Sequence, residues 1–294
     1  MSSTISKPGV AKAIPLSNKP SAKSARFRPP PGVAKPKASD TPIVLTDEEI
    51  AFTKSLVIHE DDSVIVLNKP PGLSSQGGRI QAHTLDDLLW ALARRDRPRP
   101  RLIHRLDRDT SGVILTARTK PAATFLGKAL MGKRFRKTYL AIVTPGAPEP
   151  RGGQIDSPLR RESIGREAYM RVCAADHPDA ETARSRYRTL ASTEGAALVE
   201  LSPDTGRMHQ LRVHMASIGR PIAGDSRYGG ALMLGGAPVP RLMLHAAQLV
   251  FPHPDGGERR IGAPIPDDMR AVLAKLGLEA PERTAPEQGR PESR

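Results

Sequence analysis

Charged and hydroxyl side chains are concentrated in one short segment, residues 104–112. It holds two carboxylates, Asp107 and Asp109, among basic and hydroxyl side chains, and an apolar run follows it directly. Neighbouring cations keep a carboxylate ionised, and an ionised carboxylate can act as a nucleophile or a base. The alternative is a polar turn with surface ion pairs, as charge runs are usually solvated. The segment therefore predicts either a carboxylate-based active site or a solvated turn before a strand.

The overall charge narrows the choice of partners. The chain has 294 residues and a formal net charge of +14, which favours a polyanionic partner, although an anionic membrane surface or simple solubility would also be compatible. No apolar run is long enough for a transmembrane helix or a signal peptide, so we expect no membrane association and a cytoplasmic location. The single cysteine, Cys173, excludes an intramolecular disulfide and a cysteine-rich metal site.

Composition divides the chain into three parts. Residues 1–42 are rich in Pro, Lys, Ser and Ala, and six Lys and two Arg against one Asp give them a net charge of +7. We expect a disordered basic arm there, which either gathers phosphate charge or is only a solvated leader. Residues 43–278 have the composition of one folded domain, and residues 279–294, dominated by Pro, Glu and Arg, predict a disordered tail.

Short β-rich segments alternate irregularly with a few helices. Strands are predicted at 56–58, 64–67, 113–117, 136–143, 197–202 and 242–251. Helices are predicted at 84–93, 119–131, 209–218 and 267–276, the first opened by Thr84 and Asp87 as a capping box. Residues 145–185 are punctuated by Pro and Gly and give no assignment. Without regular βαβ alternation, the pattern predicts an α+β fold with a mainly antiparallel sheet.

Four motifs resemble those of one known family. Residues 104–112 resemble the catalytic signature H-R-L-D-x-x-T-S/T-G of the RluA-type pseudouridine synthases. Residues 68–73, 137–141 and 206–214 resemble, in the expected order, the family elements N-K-P-x-G-L, K-x-Y-x-A and G-R-x-H-Q-I/L-R-x-H. Four motifs in order are far more specific than one. The resemblance implies a pseudouridine-synthase-like fold, with a mixed sheet, flanking helices and a central catalytic cleft.

The resemblance also implies a reaction and its catalytic residues. The enzyme would break the N1–C1′ bond of a uridine in RNA, turn the base and rejoin it through C5. Asp107 would be the catalytic carboxylate, because an anion stabilises the electron-poor sugar carbon. Tyr139 would lie against the uracil, and Arg212 would pair with the carboxylate, while Asp109 would be structural. Whether Asp107 attacks the sugar, attacks the base or removes a sugar proton stays open.

Five further residues are expected to contact RNA. Arg105 lies two residues from Asp107, so the two share a face if the segment is extended. Its planar guanidinium could fill the gap that a flipped-out uridine leaves in the RNA stack. Lys69, in a Pro-Pro-Gly loop, is expected to contact phosphate. The remaining three, expected at the RNA backbone or a base edge, are Arg207, His209 and Gln210.

The expected partner is structured RNA, either ribosomal or transfer RNA, bound by a monomer. No metal or organic cofactor is expected, because His209 and His214 lack a carboxylate or cysteine to complete a site. One alternative is a non-catalytic RNA-binding protein of the same fold. Another is an aspartyl-phosphate phosphatase, because residues 107–110 resemble the start of the D-x-D-x-T motif. That motif should follow an apolar parallel strand, whereas basic residues precede it here.

Overall fold

The structure is a computed structural model that describes residues 43–77, 83–94, 99–165 and 167–279. The expected basic arm and all of the expected tail except residue 279 lie outside the described residues. The helices are α1 (Asp47–Ser55), α2 (Leu85–Leu88), α3 (Lys120–Met131), α4 (Gln210–Ser217) and α5 (Asp267–Lys275), with a 3-10 helix at Leu89–Leu92. None of the described helices has the length and apolar character needed to cross a membrane.

The strands are β1 (Val57–Glu60), β2 (Val64–Lys69), β3 (Arg101–Leu102), β4 (Ser111–Ala117), β5 (Arg136–Val143), β6 (Gly152–Asp156), β7 (Leu159–Ile164), β8 (Glu167–Val172), β9 (Arg184–Ser192), β10 (Ala197–Pro203), β11 (Met233–Leu234), β12 (Ala237–Pro238), β13 (Leu244–Pro252) and β14 (Glu258–Gly262).

Ten of the described strands form one sheet, in the order β1-β2-β4-β13-β5-β10-β9-β6, with β14 added to β13 and β3 to β4. Its described pairs are antiparallel except for β4 with β13, which run parallel with Ser111 opposite His245. Strands β7 and β8 form a separate hairpin, as do β11 and β12. The α+β fold with a mainly antiparallel mixed sheet and flanking helices is therefore confirmed.

Strand β2 shows how the centre of the sheet is covered on both faces. Val64 and Val66 belong to one apolar cluster, whereas Ile65 and Leu67 belong to another, as alternation along a strand requires. Helix α3 covers the first cluster, and α2, α4 and α5 cover the second. Continuous burial explains why β2 reads as an unbroken apolar run rather than as an alternating pattern.

Most predicted elements are confirmed to within about two residues. Thr84 and Asp87 form the predicted capping box at α2, and α3 begins after Thr119 and ends at Gly132. Helix α1 was not predicted, because only Thr53 on it is buried and no apolar stripe marks it. The unassigned region 145–185 contains β6, β7 and β8, whose residues are mostly exposed and therefore lack an apolar pattern.

Three strands meet at one point near the middle of the sheet. Lys69 ends β2, Ser111 begins β4, and His245 lies at the start of β13. The parallel approach of β13 requires Gly112, whose φ is +113° and where a Cβ would collide with the carbonyl oxygen of Ala246. The loop between β3 and β4, which carries the signature, therefore emerges at the centre of the sheet.

Candidate active site

The loop between β3 and β4 presents Asp107 to solvent while its other side is buried. His104 and Leu106 are buried, Arg105 is exposed, and the Asp107 side chain is 28% exposed. Arg105 and Asp107 thus share the outer side of the loop, as their spacing predicted. The backbone N–H of Thr110 donates to the carbonyl oxygen of Asp107 at 3.2 Å and closes the turn around the carboxylate.

Lys69 fixes the backbone of this loop from below. Its ammonium is fully buried and donates to the carbonyl oxygens of Pro70, Leu73 and Arg108 at 2.9, 2.8 and 2.9 Å. The expected phosphate contact of Lys69 is therefore wrong, because the side chain has no surface left for RNA. The sequence showed its charge but not its burial.

Two carboxylates of the signature, Asp109 and Asp107, balance the charge of Lys69. Burial lowers the pKa of Lys69 to about 7, while the carboxylates of Asp109 and Asp107 act in the opposite direction. Three carbonyl acceptors match the three N–H donors of an ammonium, whereas a neutral amine would leave one acceptor unpaired. The geometry therefore favours the charged form beneath the loop.

Two further buried side chains hold the loop in place, Ser75 from outside it and His104 from within it. Ser75 donates its hydroxyl to the carbonyl oxygen of Leu106 at 2.7 Å and accepts the Leu106 N–H at 3.1 Å. His104 accepts the N–H of Leu115 through Nε2 at 3.2 Å. Burial, with a smaller effect of the Lys137 charge, lowers the pKa of His104 to about 3. His104 is therefore a neutral structural residue of the signature rather than an acid or a base.

Arg212 connects Asp107 to a carboxylate that was not predicted. Its Nε and Nη2 donate to Oδ2 and Oδ1 of Asp225 at 2.7 and 2.8 Å, while its Nη1 lies 3.7 Å from Oδ2 of Asp107. Burial opposes the charge of Arg212, but the hydrogen bonds and charge of Asp225, with the charge of Asp107, raise its pKa overall. Arg212 is thus a permanent cation beside Asp107, and its closest partner is Asp225.

Tyr139 lies on β5 between Leu201 of β10 and Ala246 of β13. Its ring is buried, and burial together with the negative charge of Asp107 raises the pKa of its hydroxyl. Tyr139 is therefore a neutral phenol close to the loop that carries Asp107.

His209 and Tyr228 form the other side of the site. His209 precedes α4 in the left-handed conformation, with φ of +53°, and its Nδ1 lies 2.8 Å from the hydroxyl of Tyr228. The guanidinium of Arg212 lies 5.0 Å from the centre of the Tyr228 ring. Burial is the main cause that lowers the pKa of His209, so its ring is neutral at pH 7. Tyr228, like Asp225, was missed.

Gln210 is buried, and its amide is fully engaged within the protein. Its Nε2 donates to the Arg184 carbonyl oxygen and the Ser185 hydroxyl, both at 2.9 Å. Its Oε1 accepts the Thr205 hydroxyl at 2.7 Å and the Arg207 N–H at 3.1 Å. The expected RNA contact of Gln210 is therefore wrong, because the residue anchors the start of α4 instead.

Arg207 lies just before α4 and is exposed. Its Nη1 lies 2.8 Å from Oε2 of Glu181, and its Nε donates to the carbonyl oxygen of Thr182 at 3.1 Å. An RNA contact of Arg207 stays a prediction, and it would compete with this ion pair.

A sequence signal for the missed carboxylate did exist. Asp225 is the only acidic residue between Asp204 and Asp255, a stretch that carries five arginines. A buried arginine in that stretch needs a nearby carboxylate, because an unpaired buried charge is strongly unfavourable. Tyr228 offered no comparable signal, since its partners are brought together only by folding.

The described residues also contain one group of three potential metal ligands, Asp61, His253 and Asp255, away from this site. Oδ2 of Asp61 lies 3.0 Å from Nε2 of His59 and 3.1 Å from Nε2 of His253. We call these four residues the distal cluster. Their mutual hydrogen bonds join the β1–β2 turn to the β13–β14 turn, which is a sufficient structural role.

The comparisons with known proteins agree with the motifs. The model of the RNA pseudouridylate synthase family matches residues 63–217. The chain is 38% identical over 239 residues to ribosomal large subunit pseudouridine synthase C of Escherichia coli K12, covering 78% of this chain and 72% of that protein. It is 35% identical over 268 residues to the mitochondrial pseudouridylate synthase RPUSD4 of Xenopus tropicalis, covering 78% and 82%.

A solved structure is similar over nearly its whole length. Human RNA pseudouridylate synthase domain containing 4 matches with a TM-score of 0.68 and 29% identity, covering 80% of this chain and 98% of that one. The phosphatase alternative fails on topology, because Asp107 follows the two-residue antiparallel strand β3 and not an apolar parallel strand. The chain therefore belongs to the RNA pseudouridylate synthase family and is an isomerase that converts uridine to pseudouridine in RNA.

Proposed function

We propose that the chain isomerises specific uridines in ribosomal RNA of the large subunit, with Asp107 as its catalytic carboxylate. The choice of RNA is supported by the name of the bacterial relatives, ribosomal large subunit pseudouridine synthase C. One observation carries the assignment of Asp107: its nearest cation, Arg212, is bound bidentately by Asp225 and lies 3.7 Å away. Asp107 therefore has a cation close to its carboxylate but is not consumed by a tight ion pair.

The reaction conserves all atoms of the nucleotide. The N1–C1′ bond breaks, a C5–C1′ bond forms, C5 loses its proton and N1 gains one. No electron is gained or lost overall, so the chemistry requires neither an oxidant nor a reductant. The sugar carbon becomes electron-poor as the first bond breaks, and the Asp107 carboxylate stabilises it as an anion or as a transient covalent partner. The neutral ring of Tyr139 offers a flat surface for the turning uracil.

Arg105 is the proposed residue for opening the RNA stack. It is exposed on the same side of the loop as Asp107 and has no ion-pair partner among the described residues. The arginines of the surface strand β9 differ, since Arg184, Arg186 and Arg188 each pair with a carboxylate. A free planar cation next to the catalytic carboxylate suits the space left by a flipped base.

Residues 1–42 are proposed to increase the affinity for RNA without determining which uridine is modified. Phosphate contacts by their eight cations would release counterions but carry no base identity. Removing residues 1–42 should make the slope of log affinity against log salt concentration less steep by about 0.7–0.9 for each lost phosphate contact. The modified nucleotide should stay the same. We further propose that the protein is a monomer and acts in the cytoplasm. Sedimentation tests the oligomeric state. Cell fractionation tests the location, since one relative is named as mitochondrial.

The deciding experiment maps pseudouridine in all cellular RNA with and without the gene. We expect one or a few sites in large-subunit ribosomal RNA to disappear in the deletion strain. The wild-type gene should restore them, and a gene encoding Asp107→Asn should not. Loss of sites only in transfer RNA would refute the proposed substrate, and restoration by Asp107→Asn would refute the proposed catalytic carboxylate.

A further inference from the structure

One turn, residues 225–228, holds Arg212 beside Asp107. Oδ1 of Asp225 accepts the backbone N–H groups of Arg227 and Tyr228 at 3.1 and 3.2 Å, so the buried carboxylate folds its own turn. The same carboxylate binds Arg212 bidentately, and the Tyr228 ring lies against the guanidinium of Arg212. Arg212 is therefore held from two sides by a segment of four residues.

The two contacts of the Tyr228 hydroxyl indicate where its proton points. It accepts the backbone N–H of Met170, on β8, at 3.0 Å, and that N–H can only donate. Among the described residues, Nδ1 of His209 is the other polar atom in contact with this hydroxyl, at 2.8 Å. The hydroxyl proton is thus available to Nδ1, which must then be the unprotonated nitrogen of a neutral imidazole. Donation of the hydroxyl proton to Nδ1 would leave the proton of His209 on Nε2.

We propose that Tyr228 is a positioning residue of the isomerisation, which holds His209 in the Nε2–H tautomer and Arg212 at its distance from Asp107. This inference rests on the proposed role of Asp107. In this arrangement Nε2–H is the only polar group that the half-buried His209 ring can offer to an RNA acceptor such as a phosphate or a uracil carbonyl. His209 also has a left-handed backbone, which is a strained conformation for a residue with a side chain and is typical of functional positions.

The surroundings of His209 decide how its charge responds to pH. The carboxylates of Asp107 and Asp225 favour the protonated ring, whereas burial and the cations Arg212 and Arg227 disfavour it. The hydroxyl of Tyr228 adds to the second group, because donation to Nδ1 requires an unprotonated nitrogen. Removing this hydroxyl should raise the pKa of His209 and move the acidic limb of the activity profile to higher pH.

The central variant is Tyr228→Phe, which removes the hydroxyl and keeps the ring against Arg212. Tyr169→Phe is the matched control, because its ring lies 6.3 Å from that of Tyr228 but its hydroxyl donates to Glu167 at the surface. With full-length protein and the mapped RNA, we expect Tyr228→Phe to lower kcat about tenfold, the effect of one functional hydrogen bond. KM should change less than twofold, and Tyr169→Phe should behave as wild type.

A second readout needs no activity. Nitrogen NMR of histidine-labelled protein, with His209 assigned by loss of its signals in His209→Gln, reports the tautomer directly. We expect unprotonated Nδ1 and protonated Nε2 in the wild type, and loss of that preference in Tyr228→Phe. Protonated Nδ1 in the wild type would overturn the inference, as would wild-type kcat and pH profile in Tyr228→Phe. A wild-type chain that is inactive yet shows the expected tautomer would instead refute the proposed function.

Discussion

Two clusters of charged side chains lie at opposite ends of strands β2 and β13. The active-site cluster, with Asp107, Arg212 and Asp225, is at the end where Lys69 finishes β2 and His245 lies near the start of β13. The distal cluster of His59, Asp61, His253 and Asp255 is at the other end, where β2 begins and β13 finishes. The six residues of β2 separate the two ends by about 17 Å.

The two clusters differ in how completely their central carboxylate is bound. Oδ1 of Asp61 accepts the N–H groups of Ser63 and Val64, both at 2.8 Å, and Oδ2 contacts His59 and His253. Burial opposes the charge of Asp61, but these hydrogen bonds lower its pKa overall. Every oxygen of Asp61 is thus committed to holding two turns together.

Asp107 has the opposite arrangement. Its nearest cation is beyond hydrogen-bond distance at 3.7 Å, because Arg212 is bound by the fully buried Asp225. The backbone around Asp107 is tightly held by Lys69 and Ser75, while its carboxylate is left accessible. The comparison shows that Asp107, the proposed catalytic carboxylate, differs from Asp61 in having an incompletely satisfied side chain on a firmly held backbone, and not in the number of charges around it.

The largest expected effect comes from Asp107→Asn. It keeps the shape of the side chain but removes the anion, so isomerisation should fall at least about a thousandfold. RNA affinity and thermal unfolding should stay close to wild type. Activity is measured as release of tritium from RNA labelled at uridine C5, because that position loses its hydrogen in the reaction. Asp109→Asn, two residues away, should keep most activity. An equal loss there would contradict the choice of Asp107 as the catalytic carboxylate.

Asp225→Asn should affect both stability and catalysis. It leaves the buried Arg212 without its charged partner, which costs about 3–5 kcal/mol in comparable buried pairs. We expect a fall of about that size in the free energy of unfolding by urea, with activity reduced about tenfold or more in the folded fraction. Asp268→Asn is the matched control, since Arg241 binds Asp268 bidentately at 2.6 and 2.8 Å but the carboxylate is 36% exposed. A similar cost at both sites would contradict the importance of burial.

Lys69→Met tests the corrected role of Lys69. The variant leaves three carbonyl oxygens without a donor and should reduce the free energy of unfolding by about 2–3 kcal/mol. Because Lys69 is buried, the salt dependence of RNA binding should keep its wild-type slope, whereas Arg105→Met should flatten it. A flatter slope for Lys69→Met with unchanged stability would restore the phosphate contact and remove the structural one.

The smallest effect is expected at the distal cluster. The pKa of Asp61 is depressed in the folded protein, so its contribution to stability is present above the unfolded pKa and is lost as pH falls through the folded pKa. Asp61→Asn should therefore cost about 1 kcal/mol at pH 7, and the difference from wild type should shrink below about pH 4. Urea unfolding at both pH values measures this. Activity at pH 7 should be unchanged, in contrast to Asp107→Asn.

The reach of the sequence can be judged from particular residues. The reaction could be predicted from four motifs in order, one of them around Asp107, because each motif is continuous in the chain. Lys69 and Gln210 were placed in the right region but given the wrong role, since a motif does not reveal which polar side chains turn inward. Tyr228 was missed, because its bonds to His209 and Met170 join residues 19 and 58 positions apart.

The fold likewise contains elements that a local apolar pattern predicts and elements that have no such pattern. Helix α3 was predicted because its apolar residues recur at helical spacing, and strand β5 because it contains a continuous apolar run. The β7–β8 hairpin was not, because each of its strands has one buried residue, Leu159 or Met170. Such strands are stabilised by their mutual backbone hydrogen bonds and by packing on α4, which no local pattern records.

The place of β13 in the sheet constrains how the enzyme is made. β13 lies between β4, which follows the loop of Asp107, and β5, which carries Tyr139, yet it is synthesised more than 100 residues after either. Until residue 252 has left the ribosome, the two halves of the sheet have no strand to join them. A nascent chain that stops before β13 contains Asp107, Tyr139 and Arg212 but cannot assemble them. Activity should therefore begin only after β13 has been synthesised, which favours folding of the sheet as one unit over stepwise folding from the amino terminus.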